Sequence, residues 1–189
     1  MLYSNTMTKY PLILLDRDGV INHDSDDYIK SPDEWHPIPE SLDAIANLNR
    51  AGFRVIIVSN QSGIARGFYD LSVLSDIHEK MYRLLAEVGG HIDDIFFCPH
   101  HPSQHCDCRK PKLGLFHRIQ EKYDDTLENS FFVGDSFSDI EAALALPCKP
   151  LLVLTGKGEK TLRQHPDLLK NIPCKKNLYE AAEYVLQRR

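Results

Sequence analysis

The chain has 189 residues, 42% of them hydrophobic and 26% charged, enough to bury a core and too apolar for a disordered polypeptide. Its net charge of −5 argues against a general nucleic-acid or anionic-membrane binder, because both partners need a basic surface. No stretch approaches the roughly 20 apolar residues of a membrane span.

In chain order, MLYSNTMTKY reads as a short polar lead-in rather than a signal peptide, and Met7 is a second candidate start. LILLD (12–16) predicts a first strand that stops at Asp16, Arg17 and Asp18. An acidic, proline-bearing loop from Asn22 to Pro39 follows, with Trp35 as its expected anchor. PESLDAIANLNRAG (39–52) has helical spacing at Leu42, Ile45, Leu48 and Asn49 and ends in glycine. RVIIVSN (54–60) is a β-branched strand. Residues 70–90 predict a helix with Leu71, Leu74, Ile77, Met81, Leu84, Leu85 and Val88 on one face. DIFFCP (94–99) is a strand, 113–123 a helix and SFFVGD (130–135) a strand. A helix over 138–146 takes Ser138 as its N-cap, PLLVLTG (150–156) is a fifth strand, and 177–187 a last helix.

Alternating strands and helices predict an α/β, doubly wound, mostly parallel Rossmann-like sheet. No linker divides it, so 1–189 reads as a single domain. In such sheets ligands bind outside the carboxyl ends of the strands. Those ends carry Asp16 and Asp18, then Ser59, Asn60 and Gln61, then Gly134 and Asp135 with Asp139 one turn on. The third strand leads through a cysteine loop to Arg109 and Lys110. Thr155-Gly156-Lys157-Gly158, at the fifth, is weaker evidence.

Asp16 and Asp18, at i and i+2, would face one side of an extended chain. Two such carboxylates repel unless a cation separates them, and Asp135 would add a third acid. Three oxygen donors with room for water suit magnesium. With Ser59 donating a hydrogen bond and Lys110 neutralising charge, the set suits phosphoryl transfer. One carboxylate can attack phosphorus and form an aspartyl-phosphate. The other can protonate the leaving alkoxide and later deprotonate water.

Of five cysteines, Cys98, Cys106 and Cys108 fall within eleven residues, whereas Cys148 and Cys174 stand apart and are expected free. An odd count without an export signal predicts a reducing cytoplasm and a metal site rather than disulfides. CPHHPSQHCDC offers Cys98, His100, Cys106 and Cys108 as a closed, structural zinc site, with His101 and His105 as competing ligands by spacing. Such a site would pin the loop that delivers Arg109 and Lys110. The six remaining histidines have no clustered partners and read as surface or packing groups.

These residues resemble the haloacid-dehalogenase superfamily of phosphotransferases. Its D-x-D-G-[TV] motif stands as Asp16-Arg17-Asp18-Gly19-Val20, its strand-ending Ser/Thr as Ser59, its lysine as Lys110 and its acidic motif as Gly134-Asp135 with Asp139. DRDGVIN, SNQSGIARG, CPHHP, CDCRKP and VGDS are similar to the bacterial D-glycero-D-manno-heptose 1,7-bisphosphate phosphatases, with histidinol-phosphate phosphatases as near relatives. The resemblance implies a phosphatase that removes the C7 phosphate of that sugar during lipopolysaccharide core precursor synthesis. It makes Asp16 the nucleophile and Asp18 the general acid/base. It assigns magnesium to Asp16, Asp18 (through its backbone carbonyl) and Asp135, and phosphoryl stabilisation to Ser59 and Lys110. It gives a second phosphate to Arg109 and has Ser59, Asn60, Gln61 and Ser62 line the pocket. Sugar hydroxyls would meet the loop holding Asp24, Asp27 and Tyr28. It also selects His100 as the fourth zinc ligand.

Many of those phosphatases have a lysine directly after the acidic-motif aspartate, and here that position is Ser136. Arg109 favours a substrate with a second phosphate over histidinol phosphate, because a guanidinium fork binds such a group well. A dead fold serving as an interaction module would be expected to lose Asp16, Asp18 or Lys110, and all three are present. A polynucleotide 3′-phosphatase shares the first motif, but the chain lacks a basic or aromatic nucleic-acid track. No insert has room for a large cap domain, and nothing in the sequence demands a partner subunit, so a monomer is expected.

Overall fold

In a computed structural model of the chain, residues 10–188 are described; the lead-in with Met1 and Met7 lies outside them. Six parallel strands form one sheet in the order β3-β2-β1-β4-β5-β6. They are β1 (Leu12–Leu15), β2 (Arg54–Asn60), β3 (Asp94–Cys98), β4 (Phe131–Gly134), β5 (Lys149–Val153) and β6 (Cys174–Lys175). The helices are α1 (Ser41–Arg50), α2 (Leu71–Glu87), α3 (Gly114–Tyr123), α4 (Phe137–Leu144), α5 (Gly158–Gln164), α6 (Pro166–Leu169) and α7 (Leu178–Leu186). Among the described residues no helix is long and apolar enough to cross a membrane.

The continuous apolar runs of the inner strands follow from burial on both faces. Ile13, Leu15, Val55, Ile57 and Val133 pack with α1, α2 and α7, and Trp35 is fully buried among them. Leu12, Leu14, Ile56, Val58 and Phe132 pack on the opposite face with α3 and α4. The Asn22–Pro39 loop is therefore pinned to the first face through Trp35, whose carbonyl also accepts from Lys80 Nζ at 2.8 Å.

Three elements lie outside the sequence expectation. The edge strand β6 has two residues and the helices α5 and α6 have seven and four, too short to show a period. On α2, Leu74, Ile77, Met81 and Leu85 are buried, while Leu71 and Val88 at its ends are exposed, beyond the reach of the sheet. The cap of α4 is Ser136 rather than Ser138: the Asp139 carboxylate reaches back to the Ser136 N–H at 3.0 Å, which starts the helix one residue earlier.

Candidate active site

Register aligns the strand ends. Leu15 pairs with Ile57 of β2 and Val133 of β4, and the Asp16 N–H donates to the Val133 carbonyl at 2.9 Å. The residues just beyond, Asp16, Ser59 and Asp135, are thereby brought to one edge. A cavity of about 310 Å³ opens there, lined by these three with Asp18, Asn60, Gln61, Ser62, Arg109 and Lys110. Asp24, Tyr28 and Ile29 from the Asn22–Pro39 loop wall the opposite side.

Asp16 is buried, and its Oδ1 accepts from the Arg17 N–H at 2.7 Å and faces Lys110 Nζ at 3.0 Å. Burial pushes its carboxyl up to about 7 against the pull of Lys110, with Asp139 and Asp18 adding to the rise. Lys110 Nζ also donates to the Val58 carbonyl at 2.6 Å and pairs with Asp139 at 2.7 Å. Burial would lower the Lys110 ammonium, but Asp139 and Asp16 outweigh it and hold it above its ordinary value. Its backbone is fixed by Asn60, whose side chain accepts from the Lys110 N–H at 3.0 Å and donates to its carbonyl at 3.2 Å.

Asp18 is wired differently. The backbone is not extended across 16–18, as β1 ends at Leu15 and Gly19 takes φ +83°. The Asp18 carboxylate accepts from Arg17 Nε and Nη2, Asn22 Nδ2 and Gln61 Nε2, at 2.8 to 3.1 Å. Burial raises this group, and Arg17 with the Asn22 and Gln61 bonds overcomes that, so its pKa lies below the ordinary value. The Gln61 carbonyl accepts from Tyr69 Oη at 2.6 Å, and its amide also donates to Ser59 Oγ at 2.8 Å. Ser59 thus receives a bond and keeps its own hydrogen for the cavity.

Asp16, Asp135 and Asp139 each place a carboxylate oxygen within 4.8 Å of the others. The side chain of Asp18 is not in this group: Arg17 holds its carboxylate, which leaves the backbone carbonyl, the atom through which the resemblance assigns Asp18 to magnesium. Burial, then Asp139 and Asp16, pushes Asp135 up to about 8. A Cβ at Gly19 or at Gly156, both with positive φ, would come within 2.2 Å of Asp135 Oδ2. Two buried carboxylates forced toward protonation, one of them packed against glycines where no side chain would fit, are a hard-oxygen set that fits magnesium.

Asp27 is exposed and does not line the cavity; it stands at the tip of a turn in which its N–H bonds Ser25 Oγ, and Tyr28, at φ +65°, turns inward instead. Asn60 and Gln61 do line it, but their amides are occupied by Lys110 and by Asp18 and Ser59. The end of β5 contributes more to the site than its glycine-rich sequence suggests. Lys157 lines the cavity, its N–H donates to Asp135 Oδ2 at 2.7 Å, and Thr155 Oγ1 donates to the Gly19 carbonyl at 2.6 Å. The signal was there as the TGKG run at a strand's carboxyl end.

Cys98, His100, Cys106 and Cys108 form a second group with ligand atoms within 4.8 Å of one another. Their sulfur separations are 3.1 to 3.5 Å, and His100 Nδ1 lies 3.1 Å from Cys108 Sγ. A zinc ion with about 2.3 Å bonds holds sulfur ligands about 3.8 Å apart, so a small expansion would admit one. His101 instead bonds Ser103 Oγ at 2.7 Å and His105 is exposed, which leaves His100 as the histidine of the set. Cys148 and Cys174 are free thiols.

A family model described as "Polynucleotide kinase 3 phosphatase" matches residues 12–161. A Pseudomonas aeruginosa protein named D-glycero-beta-D-manno-heptose-1,7-bisphosphate 7-phosphatase is 57% identical over 151 residues, 80% of this chain and 85% of the relative. The chain belongs to this family of haloacid-dehalogenase-type phosphatases. It is accordingly a phosphoric monoester hydrolase. A Neisseria meningitidis phosphatase of the same name is 45% identical over 177 residues, 93% of this chain and 95% of the relative. The crystal structure of the Bordetella bronchiseptica D,D-heptose 1,7-bisphosphate phosphatase, complexed with magnesium and phosphate, superposes with a TM-score of 0.91 at 48% identity. It covers 95% of this phosphatase and 99% of its own chain. The family description names a polynucleotide enzyme, whereas these relatives are named for a sugar bisphosphate.

Proposed function

We propose that this phosphatase, working as one catalytic domain, removes the C7 phosphate of D-glycero-D-manno-heptose 1,7-bisphosphate, with magnesium and through an aspartyl-phosphate, in lipopolysaccharide core precursor synthesis. The observation that carries the reading is Asp16: buried on the cavity floor, with Oδ1 held by Arg17 N–H and Lys110 and Oδ2 without a donor among the described residues. That second oxygen attacks phosphorus, the ester bond breaks, and the sugar leaves as an alcohol once protonated. Asp18 delivers that proton, then takes one from the water that opens the aspartyl-phosphate. Because four donors hold Asp18 ionised at rest, substrate must displace at least one of them before Asp18 can carry a proton. Ser59 directs its free hydrogen to a phosphoryl oxygen, and Lys110 keeps Asp16 aimed.

Magnesium, held by Asp16, Asp135 and the Asp18 carbonyl, supplies the positive charge that keeps the buried acids ionised and offsets phosphoryl charge. Arg109 serves the second phosphate: its buried Nη1 has no partner among the described residues, a donor left open beside the cavity. Zinc in the Cys98, His100, Cys106 and Cys108 set holds the loop before Arg109. The purified protein, with magnesium, is to be assayed for phosphate release from heptose 1,7-bisphosphate in both anomers, fructose 1,6-bisphosphate and histidinol phosphate. The highest kcat/KM is expected on a heptose bisphosphate; a preference for histidinol phosphate would overturn the reading.

A further inference from the structure

The cavity holds three lysine and arginine side chains, and they are not equally available. An ammonium has three N–H donors. Those of Lys110 are occupied by the Val58 carbonyl, Asp16 and Asp139. Its charge is neutralised in place, and it cannot turn to a second phosphate without abandoning a buried carboxylate. Ser136, directly after Asp135, brings no charge, so the β4 side of the cavity has no cation of its own. Lys157 comes from the end of β5, the next strand, and has one side-chain partner among the described residues, Asp24 Oδ2 at 2.9 Å. Two of its donors are open.

Its position is fixed by main chain rather than by chance. The Lys157 N–H is bound to Asp135, and Thr155 ties the same loop to the Gly19 carbonyl. The side chain, 53% exposed, rises from that anchor to the rim, where Asp24 holds it. Lys157 Nζ pairs with Asp24 and, among the described residues, makes no ion pair with Asp16, which Lys110 holds at 3.0 Å, so Lys157 is placed to meet a part of the substrate other than the phosphorus that Asp16 attacks.

We propose that Lys157 is a specificity-determining residue that binds the non-reacting phosphate of the bisphosphate substrate, with Asp24 orienting it across the cavity mouth. It is the cation of the β4–β5 side, as Arg109 is of the other. This rests on the sugar-bisphosphate reading above. A charge-assisted bond at a half-exposed rim is worth about tenfold in binding.

Steady-state kinetics of the full chain and its Lys157→Met and Lys157→Arg variants, on heptose 1,7-bisphosphate and on heptose 7-phosphate, test it. Lys157→Met is expected to raise KM for the bisphosphate about tenfold with little change in kcat, to leave heptose 7-phosphate unaffected, and to be rescued by Lys157→Arg. An unchanged bisphosphate KM, or an equal rise on both substrates, overturns the assignment of Lys157. Failure of the unaltered protein to turn over the bisphosphate instead overturns the sugar-bisphosphate reading, and the assignment with it.

Discussion

Lys110 Nζ sits between Asp16 and Asp139, 3.0 Å from one carboxylate and 2.7 Å from the other, with all three groups buried. One lysine thus keeps apart two acids, one at the end of β1 and one in the first turn of α4. Replacing it with methionine leaves both without a counter-charge in a low dielectric. Removing one partner of a buried ion pair costs about 3–5 kcal/mol when the remaining charge cannot neutralise. Here Asp16, which burial already pushes up to about 7, can take up a proton, so the cost is smaller at pH 6 than at pH 8. Urea unfolding of Lys110→Met is expected to show that widening gap, together with loss of turnover. A variant as stable as the parent at pH 8 would mean that the lysine does not carry the charge balance.

Asp16→Asn keeps the shape of the side chain and removes the nucleophile. Its fold should persist, because burial already favours an uncharged group at this position. Turnover should fall by roughly a thousandfold or more, as when a nucleophile that works in concert with its neighbours is lost. Phosphate release and circular dichroism on one sample separate the two effects. Turnover near the parental rate would remove Asp16 from the covalent step.

Much of this site was legible before any geometry. Asp16, Ser59 and Asp135 stand at strand ends, which a parallel sheet brings together, and Lys110 reaches them from the cysteine loop, held there by Asn60. The cysteine spacing likewise marked a metal group. What stayed hidden depended on side-chain direction. The i, i+2 spacing of Asp16 and Asp18 implied a shared face, but the chain leaves the sheet after Leu15 and Arg17 captures Asp18. Asp139, read only as the end of a motif, lies with Asp16 and Asp135, because a tight turn follows β4. Asp27 and Asp24 look alike in an acidic loop; the left-handed residue at Tyr28 decides which side of the turn faces the cavity. Lys157 is hard to single out in sequence because a lysine in a glycine-rich turn is common, and only the neighbouring Asp135 gives it meaning.

The cysteine group makes a separate claim on activity. Arg109 and Lys110 directly follow Cys108, so zinc in the proposed site would tether the loop that presents both, alongside the bonds from Asn60 to the Lys110 backbone. Elemental analysis should find about one zinc per chain. Cys108→Ser or extraction with a strong chelator is expected to lower the melting temperature and to remove activity that magnesium alone does not restore. Re-addition of zinc to the extracted protein should recover it. Full activity in a zinc-free sample would show that the loop holds its shape unaided.

Asp16 and Asp135 also predict how magnesium binding varies with pH. Burial lifts the two carboxyls to about 7 and about 8, so both are partly protonated near neutrality in the metal-free protein. An acid whose pKa is raised by folding binds more protons folded than unfolded, and stability therefore falls as pH rises from about 4 toward 8. His78 opposes this below pH 6.5, since burial lowers it to about 4 and folding then expels a proton. Comparing melting temperatures with and without magnesium at each pH cancels the histidine, which the metal does not touch. Magnesium competes with the protons on Asp16 and Asp135, so its stabilisation should be small at pH 6, grow through pH 7 and level off above about pH 8, with protons released on binding. A magnesium-induced shift in melting temperature that is the same at pH 6 and pH 8.5 would mean that the ion does not bind through these two carboxylates.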